Sequence, residues 1–305
     1  MDEKTYIANP IYDVVFRYLM EDNKVAKLFL SAVMGESIEE LVFSPTTYSR
    51  KIGDGDSITV IRMDFSAKIR EENGTERLVI IELQKAKYYH QTIRFRRYLG
   101  KQYQNPENID SKKEALPVYP IYIIGDAFTE HISPVIKIKR SYIDVATQEI
   151  IHETHPFIEA LTHDSIVIQI PYLKGSRRTT LEHFLSIFDQ SLRIDTKGHV
   201  LALKEEDYPE RYRSVVRRLN KAWQSPKIEE DMDMEDEVLD EFNKKDAIIE
   251  AVKKEAAQEK QRAEQEKQSK YQLIRNLYQS GQSVASIAQL AQMTKVEIES
   301  ILNIK

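Results

Sequence analysis

The chain reads as an α/β protein: a mixed β-sheet core flanked by helices, followed by a helical C-terminal tail. Three observations predict this. Two strand-like runs, Val60 to Ile69 and Leu78 to Gln84, flank Asn73-Gly74, the strongest short-range hairpin signal. Further apolar, β-rich runs at Val118 to Gly125, Ile136 to Val145 and Ile166 to Leu173 alternate with helix-period segments, which suits a layered sheet. From Ile228 onward the composition shifts to Lys, Glu, Gln and Ala, strong helix formers with few core residues.

Taken in order, Asn9-Pro10 reads as the opening of a first helix, with Asn as cap and Pro in the first turn. Tyr12, Phe16, Leu19 and Met20 form its packing face, and Asp13 sits near the start, where the helix dipole alone justifies an acid. Val25 to Val33 is a second amphipathic helix ending near Gly35. The hairpin follows. Its second strand is almost continuously apolar, as in a strand buried on both faces, so Glu82 stands out. Pairing symmetric about Asn73 sets Asp64 opposite Glu82; pairing about the Asn73–Gly74 bond sets it opposite Leu83. In either register two carboxylates and the Gln84 amide gather at one sheet end, since Glu82 and Gln84 share a face. A hard divalent cation relieves the repulsion between such acids. The alternative is a solvated strand end with each acid paired to Lys or Arg.

The next segment is helical. Lys87, His90, Arg94, Arg97 and Lys101 recur every three or four residues as a basic stripe, beside a packing stripe of Tyr88, Thr92, Phe95 and Leu99. A basic stripe leaving the end of an acidic strand suits a polyanion whose phosphodiester approaches a metal; otherwise it is a solvated face.

At this point the residues resemble a known family. Met63-Asp64, a hairpin, Glu82-Leu83-Gln84 and then Arg94 with Tyr98 are similar to the core of PD-(D/E)XK nucleases, in the branch of recombination-promoting and transposase-like nucleases. Tyr12-Asp13-x-x-Phe16-Arg17 supports the match, which covers roughly the first 200 residues. The resemblance implies a restriction-endonuclease-like fold and a magnesium-dependent (or manganese-dependent) DNA endonuclease. In it Asp64, Glu82 and the Leu83 carbonyl hold the metal, Asp13 lends support, and Lys87 to Lys101 grip DNA. Gln84 stands where relatives often carry Lys; an amide positions water but lacks the charge and basicity of an amine. Lys85, on the other face of a continuing strand, is a poor replacement, whereas Lys68 or Arg94 could reach in.

Composition bounds the alternatives. With 305 residues there is room for one large domain and an appendage, expected as a nuclease-like domain over 1–225, an acidic linker and charged arm over 226–270, and a small helical module over 271–305. Zero cysteines exclude disulfides, thiolate-bound zinc and cysteine catalysis. No P-loop, HExxH or GxSxG is present. The start Met1-Asp2-Glu3-Lys4 has no apolar signal region and no run reaches membrane-spanning length, so a cytoplasmic protein without a membrane partner is expected. Residues 226–305 hold 12 Lys and Arg against 17 Asp and Glu, so the whole net charge of −5 belongs to the tail and the rest is neutral. A neutral domain with local basic stripes can bind DNA in a salt-sensitive way.

The helix over Glu210 to Trp223 carries Arg211, Arg213, Arg217 and Arg218, read as flanking its packing face rather than meeting phosphate. His152-x-x-His155 is read as a solvated loop rather than a metal pair. Glu229 to Glu241 is an acidic linker or exposed helix start. At the end, Thr294-Lys295-Val296-Glu297 is a capping box opening a last helix. With Ser283 to Gln292 it makes a helix-turn-helix-like unit whose second helix has only Lys295 against Glu297 and Glu299. Packing or homodimerisation is expected of it rather than base reading. Two further readings stay open beside the nuclease: a catalytically weak DNA-binding or protein-interaction module on the same fold, and a nuclease toxin regulated by its own tail.

Overall fold

The computed structural model describes residues 4–45, 65–85, 91–127 and 133–304. Its strands are β1 (Thr5–Ala8), β2 (Ile38–Pro45), β3 (Phe65–Glu71), β4 (Glu76–Gln84), β5 (Val118–Ile124), β6 (Val135–Ile138), β7 (Tyr142–Ile143), β8 (Ile150–Ile151), β9 (Ser165–Gln169) and β10 (Val200–Leu203). Its helices are α1 (Asp13–Met20), α2 (Asn23–Met34), α3 (Gln91–Gln104), α4 (Pro156–Leu161), α5 (Thr180–Leu185), α6 (Arg213–Trp223), α7 (Pro226–Gln279), α8 (Val284–Ala291) and α9 (Lys295–Leu302). The chain divides into two compact units, Met1–Glu237 and Val238–Lys305.

The first unit is built on a six-stranded mixed sheet ordered β2-β3-β4-β5-β9-β6. β2, β3 and β4 run antiparallel, whereas β4, β5 and β9 are parallel, and β6 returns antiparallel. A tight turn suffices between antiparallel strands, but the parallel step from β4 to β5 needs a crossover, which contains α3. Gly74, at φ +84°, takes the left-handed conformation that the β3–β4 turn requires.

Alternation along β4 divides the core. Val79 and Ile81 face the large cluster with α1, α2, α5 and α6, where Phe16, Phe29, Phe184 and Phe188 meet. Leu78 and Ile80 face a smaller cluster with Phe95 and Leu99 of α3. Those two are described members of the packing stripe read from the sequence, and both are buried. Asp22 caps α2 by accepting from the backbone N–H groups of Lys24 and Val25, and Gly35, at φ +76°, ends it.

Several expectations need correction. Asn9 is no helix cap: it is fully buried, its amide donating to Gln190 and to the Gly198 carbonyl, and α1 starts four residues later. Its backbone N–H donates to the His199 carbonyl, extending the antiparallel pair β1–β10, which the sequence pattern left unseen. The strand expected over 136–145 is split into β6 and β7, and the one over 166–173 closes in a 3₁₀ turn at Ile170–Leu173. The acidic run after Pro226 lies within α7. Its first turns bury Ile228 and Met232 in the core of the first unit, so this stretch is packed rather than free.

The arginines of α6 and the turn before it stay within the protein. Arg217 pairs with Glu205, Arg213 donates to the Tyr208 carbonyl, Arg218 donates to the Tyr18 carbonyl, and Arg211 lies over Tyr212. His155 accepts from the Phe157 N–H at the start of α4. In the second unit, Ile274 of α7 packs with Ile287, Ala288, Ile298 and Ile301 of α8 and α9, and the capping box at Thr294 and Glu297 is formed.

Candidate functional site

The β3–β4 hairpin fixes one of the two registers open to the sequence. Phe65 lies opposite Ile81, Ala67 opposite Val79 and Ile69 opposite Arg77, the pairing centred on Asn73. Asp64, Lys87 and His90 lie outside the described residues.

Glu82 shares a face with Leu78 and Ile80 and is 4% exposed. Its neighbour across the parallel ladder is Tyr122 on β5, which packs against Phe95 at 4.4 Å between ring centroids. Burial pushes the Tyr122 phenol up to about 12, and the Glu82 charge beside it adds to the shift. Leu83 projects the other way and packs on the large cluster. Gln84 is half-buried, and its carbonyl accepts from the Gly125 N–H at 2.7 Å. A Cβ on Gly125 would lie 2.3 Å from the Lys85 carbonyl oxygen, so only glycine lets the ends of β4 and β5 approach this closely. Arg94 and Arg97 fall within α3, and Lys101 is exposed in its last turn.

Asp13 opens α1 on the side of the sheet toward which Leu83 projects. There the structure assembles a group that sequence reasoning missed. The Glu235 carboxylate accepts from the backbone N–H groups of Asp13 (3.0 Å) and Val14 (2.7 Å), covering the open end of α1. Burial, reinforced by the Asp13 charge, pushes Glu235 up to about 8. Asp236 accepts from the Tyr12 hydroxyl at 2.9 Å, lies 2.9 Å from His199 Nε2, and pairs with the Lys85 ammonium. Burial alone would raise Asp236, but its bonds to Lys85, His199 and Tyr12 outweigh that and hold it low. Lys85 Nζ sits 3.4 Å from the centre of the Tyr12 ring, and burial lowers its pKa against the opposing pull of Asp236. One turn earlier on α7, Asp233 meets Lys197 at 2.6 Å. Lys85 therefore faces away from the Glu82 side, as strand alternation requires. The available signal was Ile228 and Met232, two apolar residues four apart inside an acidic stretch.

Among the described residues no group of three His, Asp or Glu side chains is arranged to hold a metal ion. Of the donors expected for magnesium, Glu82 and Leu83 are described, so a complete site there requires Asp64. A cavity of about 340 Å³ at the opposite end of β4 and β5, lined by Arg77, Tyr119, Arg140 and Asp164, includes none of the candidate residues. Among the described residues no helix is long and apolar enough to cross a membrane. Compared with family models, curated proteins and solved structures, the chain matches none.

Proposed function

We propose that the chain is a metal-dependent DNA endonuclease with a restriction-endonuclease-like core, similar to the recombination-promoting, transposase-like PD-(D/E)XK nucleases. The observation that carries this reading is the hairpin register, Phe65 opposite Ile81, with a buried Glu82 one step further along β4. One more step of the same pairing is what the proposal requires, because it sets Asp64 opposite Glu82. Asp64, Glu82 and the Leu83 carbonyl would hold magnesium, which would supply an activated water and a counter-charge for the leaving oxygen. Gln84 orients that water by hydrogen bonding and Asp13 lends support from α1. Arg94, Arg97 and Lys101, with Lys87 and His90, hold backbone phosphate.

Plasmid nicking with magnesium or manganese tests the reading. Wild-type protein should cleave, and Asp64→Asn and Glu82→Gln should each abolish cleavage without loss of folding. Equal cleavage by wild type and both variants would sink it.

A second reading is favoured by one feature: Glu82 is 4% exposed, beside a layer of Leu78, Ile80 and Phe95. On that reading the fold binds DNA or a protein with little catalysis. It predicts metal-independent DNA retention by wild type and Glu82→Gln alike, with no nicked product from either.

A further inference from the structure

The first turns of α7 present three acids to one end of the sheet. Asp233 holds Lys197, Glu235 takes the N–H groups of Asp13 and Val14, and Asp236 holds Lys85, His199 and Tyr12. Ile228 and Met232 lie buried in the core on the same stretch, so a fixed helix rather than a loose loop delivers these carboxylates. The groups they occupy are two ammonium ions, an imidazole, a phenol and a pair of amides, the donor types that bind backbone phosphate. Two of these residues adjoin the proposed nuclease site: Asp13 belongs to it, and Lys85 directly follows Gln84.

Charge decides what this contact does. With the helix docked, Asp236 neutralises Lys85 and Asp233 neutralises Lys197, so an approaching phosphodiester finds both ammonium groups already paired. A carboxylate and a phosphate oxygen accept from the same donors, so exchanging one for the other keeps the number of ion pairs nearly constant. The outcome then turns on the local concentration of polyanion and on salt. Only side chains need to swing aside, because Met232 anchors the backbone.

We propose that residues 233–236 form an acidic strap that stands in for a nucleic-acid backbone, keeping Lys85 and Lys197 from DNA until phosphates displace it. The identity of the displacing polyanion rests on the nuclease reading; the strap itself rests on the contacts above.

The test is fluorescence anisotropy of a short fluorescein-labelled duplex with the full chain, in EDTA, over a series of salt concentrations. Freeing both lysines in the Asp233→Asn/Asp236→Asn variant should tighten binding and steepen the log K against log salt slope by about two. Glu235, Ile228 and Met232 stay in place. An equal change of charge at Glu237→Gln/Asp240→Asn, exposed acids of the same helix, should leave the slope where it was. Adding Lys85→Met and Lys197→Met to the first variant should erase the gain. The strap is overturned if the first variant's slope is unchanged, if the control moves as far, or if the gain survives loss of both lysines. If Trp223 fluorescence shows that the double variant does not fold, Asp233→Asn alone should steepen the slope by about one, and an unchanged slope overturns the proposal. Because binding is read without metal, cleavage that depends on Asp64 and Glu82 with no change of slope sinks the strap alone. A steeper slope with no cleavage sinks the nuclease reading alone.

Discussion

The docking of α7 can be measured with two methionines two residues apart. Met232 is 1% exposed and packs in the main core, whereas Met234 is 52% exposed. Truncating a buried methionine loses its transfer free energy and leaves a cavity, about 2–5 kcal/mol for Met232→Ala. Met234→Ala, on the same helix, should change stability by no more than about 0.5 kcal/mol. For a folding unit of this size each kcal/mol shifts Tm by about 2–4 °C, so a mid-range loss of about 3.5 kcal/mol predicts a drop of roughly 7–14 °C for the first variant. Trp223 is the chain's single tryptophan and ends α6 just before α7, so its fluorescence reports the first unit. The assay is thermal and urea unfolding followed through Trp223. Equal midpoints for Met232→Ala and wild type, or equal losses for the two variants, would refute the packing of these turns into the core.

Other outcomes follow from single contacts. Asp22→Ala should cost about 1 kcal/mol in urea unfolding, since Asp22 caps α2 through the Lys24 and Val25 N–H groups. Gly125→Ala should cost more than about 1–3 kcal/mol, because its Cβ would meet the Lys85 carbonyl at 2.3 Å. Gly100→Ala in α3, where no atom lies within 4 Å of the new methyl, should instead stabilise by about 0.5–1 kcal/mol. Burial, with the neighbouring Glu36, raises Glu71 from 4.5 to about 7. Its contribution to stability is therefore complete below about 4.5 and lost as pH rises through about 7. A Tm series across that window should fall for wild type and flatten for Glu71→Gln; parallel curves would contradict the assignment.

What the sequence made legible was local. Asn73-Gly74 marked the hairpin because a short turn constrains both flanking strands; the loop is Glu72 to Gly74, so of the two registers proposed the one centred on Asn73 is observed. Phe95 and Leu99 were readable from helical spacing, and the cap at Thr294 from its motif. Pairings between distant segments left no such trace: β1 and β10 are four residues each, too short for a periodic signal, and they find each other only in space. Asn9 looked like a cap because caps and buried bridging amides use the same residue. The role of Lys85 was half legible. Alternation along β4 placed it on the face away from Glu82, but nothing local to it announced Asp236, which arrives from a helix far along the chain. The acids around Asp236 looked solvated because solvated helices and docked ones differ by as little as Ile228 and Met232. Asp64 is read from the hairpin pairing and the motif.

The pairing of Thr5 with Leu203 has a consequence for synthesis. A strand made at the start of translation waits for a partner emerging two-thirds of the way through, and until then Ile7 and Ala8 lack the cover they have in the finished protein. A nascent chain stalled short of Val200 should therefore be sticky and readily captured by chaperones, while one released beyond Leu203 can close its own seam.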